Sequence, residues 1–200
     1  MKNNQSGRSM VEMLGVLAII GVLSAGGLAG YSKAMFKHKL NSTMDQLTML
    51  VTNIRTMYGT QENYSGLGVG NAYRLGIVPA SAFNSTNSSM INPFKGQVQL
   101  VEDVAQDGVA ASAFIVTYTN LPKEACIALA TADWGTGSGS GFITVSVNSA
   151  AGTAVNGQAT PGNISSARSG TEYEGSPLTV TSAIENCSDR ENSSVAFKFY

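Results

Sequence analysis

The sequence predicts an α+β fold in which a long N-terminal helix packs on a mainly antiparallel sheet. No proline interrupts residues 8–60, so a single helix of about fifty residues and ~75 Å can form there. Segments rich in β-branched and aromatic residues, separated by turn-forming residues, occupy much of the rest of the chain. The two cysteines, Cys126 and Cys187, bound a C-terminal region.

The first half of the predicted helix is apolar all round. The run from Met10 to Gly30 is 21 residues long, which is enough to span a bilayer as a helix. A single carboxylate, Glu12, interrupts it. Placing a lone acid at the edge of a membrane span costs roughly 2–3 kcal/mol, so such a residue is usually kept for a partner.

The second half, residues 31–58, is predicted to be amphipathic. Its apolar residues recur at alternating spacings of three and four, which places them in one stripe along the helix. The stripe consists of Phe36, Leu40, Met44, Leu47, Val51, Ile54 and Tyr58. We expect it to pack against a sheet as ordinary core.

The remaining elements follow from turn and strand signals. Glycines punctuate residues 59–76, which predicts a loop, and the Gly66–Gly70 stretch lacks the strand and helix that a dinucleotide-binding turn requires. A short helix is predicted to begin near Pro122 and to carry Cys126. Strands are predicted at 97–104, 113–119, 142–147, 178–184 and 195–200, with 150–176 rich in loops.

The state of the cysteines depends on the compartment. If the domain lies outside the cytoplasm, Cys126 and Cys187 form one disulfide, and in a cytosolic chain they are two buried thiols. The membrane-length segment favours the disulfide.

Catalytic and ligand-binding classes find little support. His38 is the only histidine, so neither a Ser-His-Asp triad nor a zinc site is predicted. We therefore expect no enzyme activity, no cofactor and no metal. A net charge of −1 gives no direct signal for nucleic-acid binding. Six acidic residues after the predicted helix are interpreted as solvated surface charges: Glu102, Asp103, Asp107, Glu185, Asp189 and Glu191.

The N-terminal pattern resembles the prepilin signature of type IV pilins and pseudopilins. It consists of Gly7, then Glu12 five residues later, then the apolar run. The resemblance implies that a prepilin peptidase cuts between Gly7 and Arg8 and methylates the new terminus. It also implies that the Arg8 amine pairs with Glu12 of a neighbouring subunit. Arg8 stands where the family usually has a large apolar residue.

The globular half resembles the type IVb pilins, including the conjugative thin-pilus and toxin-coregulated groups. Residues 121–126 are similar to the helix that holds their first cysteine, and residues 92–96 to the turn that opens their sheet. The implied organisation is a leader peptide at 1–7, a spine helix at 8–58 and a head domain at 59–200. Within the helix, residues 8–30 form the transmembrane segment and filament core. The segment between the cysteines would be the variable, exposed face of the filament.

The resemblance implies a structural subunit, the major pilin, of a type IV pilus. Its partners would be further copies of itself, the prepilin peptidase, the pilus assembly machinery and the membrane, with a host or surface receptor as a further candidate. The precursor would lie in the bacterial inner membrane and the mature protein in an extracellular pilus.

Two alternatives remain at this point. A minor pilin or a type II secretion pseudopilin would share the N-terminal signature, and its abundance in sheared filaments would distinguish it. A secreted or membrane-anchored adhesin would instead use the same residues as an ordinary signal peptide, cleaved near Ser24–Gly26. The adhesin would not polymerise.

Overall fold

The computed structural model describes residues 10–86, 89–104, 109–135, 141–148, 177–187 and 193–200. The chain forms two compact units, Met1–Asn41 and Ser42–Tyr200. The boundary falls inside the N-terminal helix, so the C-terminal part of that helix belongs to the second unit. The predicted domain boundary lies instead at the end of the helix.

The N-terminal helix α1 runs from Met10 to Tyr58 without interruption. Four residues of the predicted stripe are buried, namely Leu47, Val51, Ile54 and Tyr58. Thr43 and Leu50 are buried as well, which the pattern did not include. Leu50 lies one helical turn from both Leu47 and Ile54, so the buried face is wider than a single row of side chains.

The sheet has six strands in the order β1-β2-β3-β4-β6-β5. All neighbouring strands are antiparallel, which confirms the predicted sheet class. The strands are β1 (Phe83–Asn84), β2 (Ser89–Ile91), β3 (Gln97–Asp103), β4 (Ala113–Leu121), β5 (Phe142–Asn148) and β6 (Ser193–Phe199). β1 and β2 were not predicted, because two or three residues carry too little alternation to be recognised.

Strands β3 and β4, both predicted from the sequence, pair as an antiparallel hairpin. Its register pairs Val98 with Tyr118 at one end and Asp103 with Ala113 at the other. Residues 105–108, which join these two strands, lie outside the described residues, as does the segment 150–176 that was predicted to be rich in loops. β6 lies between β4 and β5, so the last segment of the chain forms an interior strand of the sheet.

Helix α3 (Lys123–Thr131) is confirmed, and it buries Cys126 and Leu129. The predicted loop at 59–76 contains an unpredicted helix, α2 (Val69–Arg74). It includes Gly70, a residue that weakens helices, and its Ala72 is completely buried. Tertiary packing of α2 therefore outweighs its poor helix propensity.

The strand predicted at 178–184 is wrong, because residues Val180–Asn186 form helix α4. The Thr179 side chain caps this helix by accepting a hydrogen bond from the Ser182 backbone N–H at 3.3 Å. The buried residues of the segment, Ala183 and Cys187, are four positions apart, which is a helical period. The alternation of β-branched residues that suggested a strand does not coincide with burial.

Aromatic side chains form much of the core beneath the C-terminal part of α1. Tyr58 contacts Tyr64, Tyr64 contacts Phe114, and Phe114 contacts Phe199, with ring centroids 4.8–5.6 Å apart. The long helix thus packs on the antiparallel sheet within the second unit, which confirms the predicted fold class.

Candidate functional site

The apolar segment of α1 is exposed along its whole described length in the first unit. Every residue from Met10 to Met35 is exposed, with Met10 at 82% and Val22 at 74%. A contiguous apolar surface of this size is rare on monomeric soluble proteins and marks an interface with a membrane or another protein. By length and composition, α1 is the one helix in the described residues that could cross a membrane.

Glu12 lies in the first turn of α1 as the structure describes it. The side chains of Met13, Val16 and Ile19 form an apolar surface beside it. Gly7 and Arg8 lie outside the described residues, so the cleavage site and the pairing of Glu12 with the Arg8 amine remain predictions.

Five glycines lie on this exposed segment: Gly15, Gly21, Gly26, Gly27 and Gly30. At each of them, an added Cβ would meet nothing within 4 Å. The packing of this chain therefore does not require glycine at these positions. Small residues let neighbouring helices approach closely in apolar surroundings.

The two cysteines form a disulfide that joins α3 to the residue following α4. Cys126 and Cys187 are 61 positions apart in sequence, with their Cα atoms 6.0 Å apart, and both are buried. The backbone N–H of Leu178 also donates to the carbonyl of Ala130 at 2.9 Å. Together these links hold the start and the end of the segment between the cysteines against each other.

Lys198 and Asp103 form a buried ion pair across the sheet. The Lys198 Nζ lies 2.8 Å from Asp103 Oδ2 and donates to the carbonyl of Val104 at 2.7 Å. Lys198 is 1% exposed. The interpretation of Asp103 as a solvated charge is therefore wrong. Alternation along the strand places Lys198 on the face opposite Phe197 and Phe199, so the local sequence pattern did not indicate that its amine is buried.

Glu102 also has a structural role instead of being a simple surface charge. Its carboxylate accepts a hydrogen bond from the backbone N–H of Gly66 at 2.5 Å. Gly66 has a φ of +78°, a conformation that favours glycine. The contact attaches the loop that follows α1 to strand β3.

Arg55 connects the C-terminal part of α1 to the last strand. Its Nε donates to the carbonyl of Tyr200 at 2.9 Å, and its guanidinium lies 5.6 Å from the centre of the Phe199 ring. Burial raises the pKa of the Tyr64 hydroxyl, and the Arg55 guanidinium that hydrogen-bonds to it opposes the rise. Gly141 contacts the same guanidinium with φ at +68°, so any side chain there would collide with Arg55.

The described residues contain no group of three or more His, Cys, Asp or Glu side chains that could hold a metal ion. His38 lies on the exposed surface of α1. Within the described residues, the apolar helix is the large exposed apolar surface, and residues 42–200 contain the disulfide and the Lys198–Asp103 ion pair.

Comparison with known proteins agrees with this description. The family described as PilS N terminal matches residues 37–198. The major structural subunit of the bundle-forming pilus of Escherichia coli O127:H6 is 28% identical over 135 residues, or 68% of each chain. The same subunit from Escherichia coli O111:H- matches to the same extent.

Solved structures share the fold. The type IVb pilin of Salmonella typhi superposes with a TM-score of 0.52 at 15% identity, covering 78% of this chain and 97% of that one. TcpA, a type IV pilin of Vibrio cholerae El Tor, superposes with a TM-score of 0.50 at 17% identity. That match covers 82% of this chain and 99% of TcpA.

Proposed function

Because this chain belongs to the type IV pilin family and its fold is of the type IVb kind, we propose that it is the major structural subunit of a type IV pilus. The observation that carries the proposal is the exposed apolar segment Met10–Tyr31, which finds no partner within its own compact unit. Pilins are structural subunits, so the chain is not an enzyme. The relatives named as major subunits favour the major over the minor pilin.

Assembly in this proposal is driven by packing of the apolar helices. Burial of apolar surface contributes roughly 25 cal/mol per Å², so the side chains of Met10–Tyr31 supply a large favourable free energy when they contact neighbouring copies. Before assembly the same surface is covered by the inner membrane. The pilus would then lie outside the cell, built from many identical copies.

Glu12 sets the axial position of each subunit in this proposal. Processing between Gly7 and Arg8 creates an α-amine, which the prepilin peptidase methylates and which remains a cation. An ammonium and a carboxylate in apolar surroundings attract strongly, and a shift along the axis would leave both charges buried and unpaired. The resemblance of Gly7, Arg8 and Glu12 to the prepilin signature supports this step.

The disulfide-bounded region would form part of the outer surface of the filament. The Cys126–Cys187 disulfide anchors both ends of this segment to the head. A receptor, if the pilus binds one, would contact this segment. The assembly machinery would act on the helix.

The testing experiment replaces Glu12 with alanine in cells that hold the cognate peptidase and assembly machinery. We expect Glu12→Ala to insert in the membrane and to be processed, while the yield of sheared filaments falls at least tenfold. Glu62→Ala is a matched control, because it removes one exposed acid of the head domain. A normal filament yield from Glu12→Ala would refute the axial role of this carboxylate.

The mature terminus is tested by intact mass and N-terminal sequencing of the filament protein. We expect a chain that begins at Arg8 and carries one added methyl group. A start near Gly26 would instead indicate a secretory signal peptide and would overturn the pilus proposal, since the apolar helix would be lost.

A further inference from the structure

Three lysines follow the apolar segment of α1 directly. Lys33, Lys37 and Lys39 lie within seven residues of one another and form what we call the lysine cluster. Lys33 and Lys37 are exposed, as is the neighbouring His38. The proposed function gives this cluster no role.

The adjoining helix supplies no acidic residue close to Lys33 and Lys37. Glu12 is the only acidic residue between Met10 and Met44, and it lies about 31 Å along the axis from Lys33. Lys33 and Lys37 are four positions apart, so they share one helix face. Like charges at this spacing destabilise a helix, and an external anion would remove that repulsion.

The depth of the cluster matches the edge of a bilayer. From Met10 to Ser32 the helix rises about 34 Å, close to the ~30 Å of a hydrocarbon core. Tyr31, which is 64% exposed, lies where aromatic residues concentrate at membrane interfaces. The Ser32 hydroxyl donates to the carbonyl of Leu28 at 3.0 Å, so it needs no water. Lys33 and Lys37 therefore lie at headgroup depth, with stems long enough to extend toward phosphates.

The charge distribution is the reverse of what topology alone favours. Lysine and arginine are usually in excess on the cytoplasmic side of a span. Here three lysines follow the span, on the side of the head, whereas only two basic residues, Lys2 and Arg8, precede it. Insertion does not account for them, whereas a binding role on the head side does.

We propose that Lys33 and Lys37 of the lysine cluster bind the phosphate headgroups of anionic phospholipids in the leaflet on the head side, which holds the subunit at a fixed depth before assembly. This inference rests on the proposed function, because it requires a membrane-embedded precursor. Each lysine near an anionic surface attracts it measurably, and the attraction declines with salt over a Debye length of about 10 Å at 0.1 M.

The test uses the full chain reconstituted in mixed vesicles of phosphatidylcholine and phosphatidylglycerol. Spin-labelled forms of the two lipids report which of them is enriched at the protein surface. We expect a preference for phosphatidylglycerol of about twofold or more that weakens at high salt. Lys33→Gln, Lys37→Gln and Lys39→Gln combined should reduce it to near one, and the corresponding arginine variant should retain it.

A control variant removes the same charge from the head domain through Arg74→Gln, Lys95→Gln and Lys123→Gln, and should keep the preference. Equal association of both lipids with the wild-type chain would overturn the inference, as would an equal loss in the control variant. Neither outcome contradicts the pilus proposal, because that proposal requires only a membrane anchor, which flotation of the chain with the vesicles shows. A chain that does not float refutes the membrane anchor and the present inference together.

Discussion

The two compact units of this chain differ in whether their apolar side chains are buried or exposed. In Ser42–Tyr200 the large apolar side chains are mostly buried, from Leu47 on α1 to Phe197 on β6. In Met10–Asn41 the apolar side chains are exposed over more than six turns of helix. The Ser42–Tyr200 unit, here called the head domain, therefore has a buried core that can stabilise it alone. The apolar helix needs a membrane or other copies of the chain to cover it.

The largest expected effect comes from separating these two units. A chain that begins at Ser32 should fold as a soluble monomer with the Cys126–Cys187 disulfide intact, because every described buried residue lies after it. It should no longer insert into membranes or enter filaments, because the apolar segment is absent. Circular dichroism, vesicle flotation and electron microscopy of sheared material would measure this. A truncated chain that unfolds would show that the head also needs the apolar helix.

The second largest expected effect comes from removing the disulfide of the head domain. Removing the disulfide with Cys126→Ser and Cys187→Ser should lower the free energy of unfolding by about 4 kcal/mol, because the bond closes a loop of roughly sixty residues. Urea unfolding of the truncated chain would measure the loss. Flotation of the full-length variant with vesicles should be unchanged. Reduced flotation would mean that the two units are not independent.

The third effect concerns the buried ion pair. Lys198→Met should cost about 3 kcal/mol, because it leaves the Asp103 carboxylate largely buried without its cation. The double variant Lys198→Met with Asp103→Leu should recover much of that loss, since the desolvated charge is then absent. Urea unfolding of both variants supplies the numbers. Equal stability of Lys198→Met and wild type would show that the pair contributes nothing measurable.

The sequence was most informative where a pattern was long. The apolar run, the stripe along α1 and the alternation of β3 each repeat several times, so tertiary packing and local preference agree. It failed at residues 178–184, where a cap at Thr179 and the bond at Cys187 favour a helix over the β-rich composition. The partner of Asp103 is 95 positions away, which no local pattern could indicate.

The residues of the candidate site also differ in whether a local sequence pattern could indicate them. Glu12 was recognisable because a single acid within an apolar run is costly unless it binds a partner. The anchoring of Arg55 by Tyr200 and Phe199 was not, because it joins residues 145 positions apart. Sequence therefore predicted the apolar helix better than the long-range contacts within residues 42–200.

The smallest expected effect tests how completely the head domain excludes water. The Tyr118 hydroxyl is fully buried and has no hydrogen-bond partner in the described part of the chain. Tyr118→Phe should therefore be neutral, or stabilising by up to about 1 kcal/mol, at pH 7. Urea unfolding would measure this difference.

The same residue makes a pH-dependent prediction. Burial raises the pKa of Tyr118 above its ordinary value of 10.0, so the folded chain keeps the proton at a pH where the unfolded chain releases it. Stability should be independent of Tyr118 below pH 10 and should fall as the pH rises above 10. Tyr118→Phe should flatten that fall. An identical alkaline decline in wild type and Tyr118→Phe would show that water reaches this hydroxyl, and the contrast between a sealed head and an exposed helix would weaken accordingly.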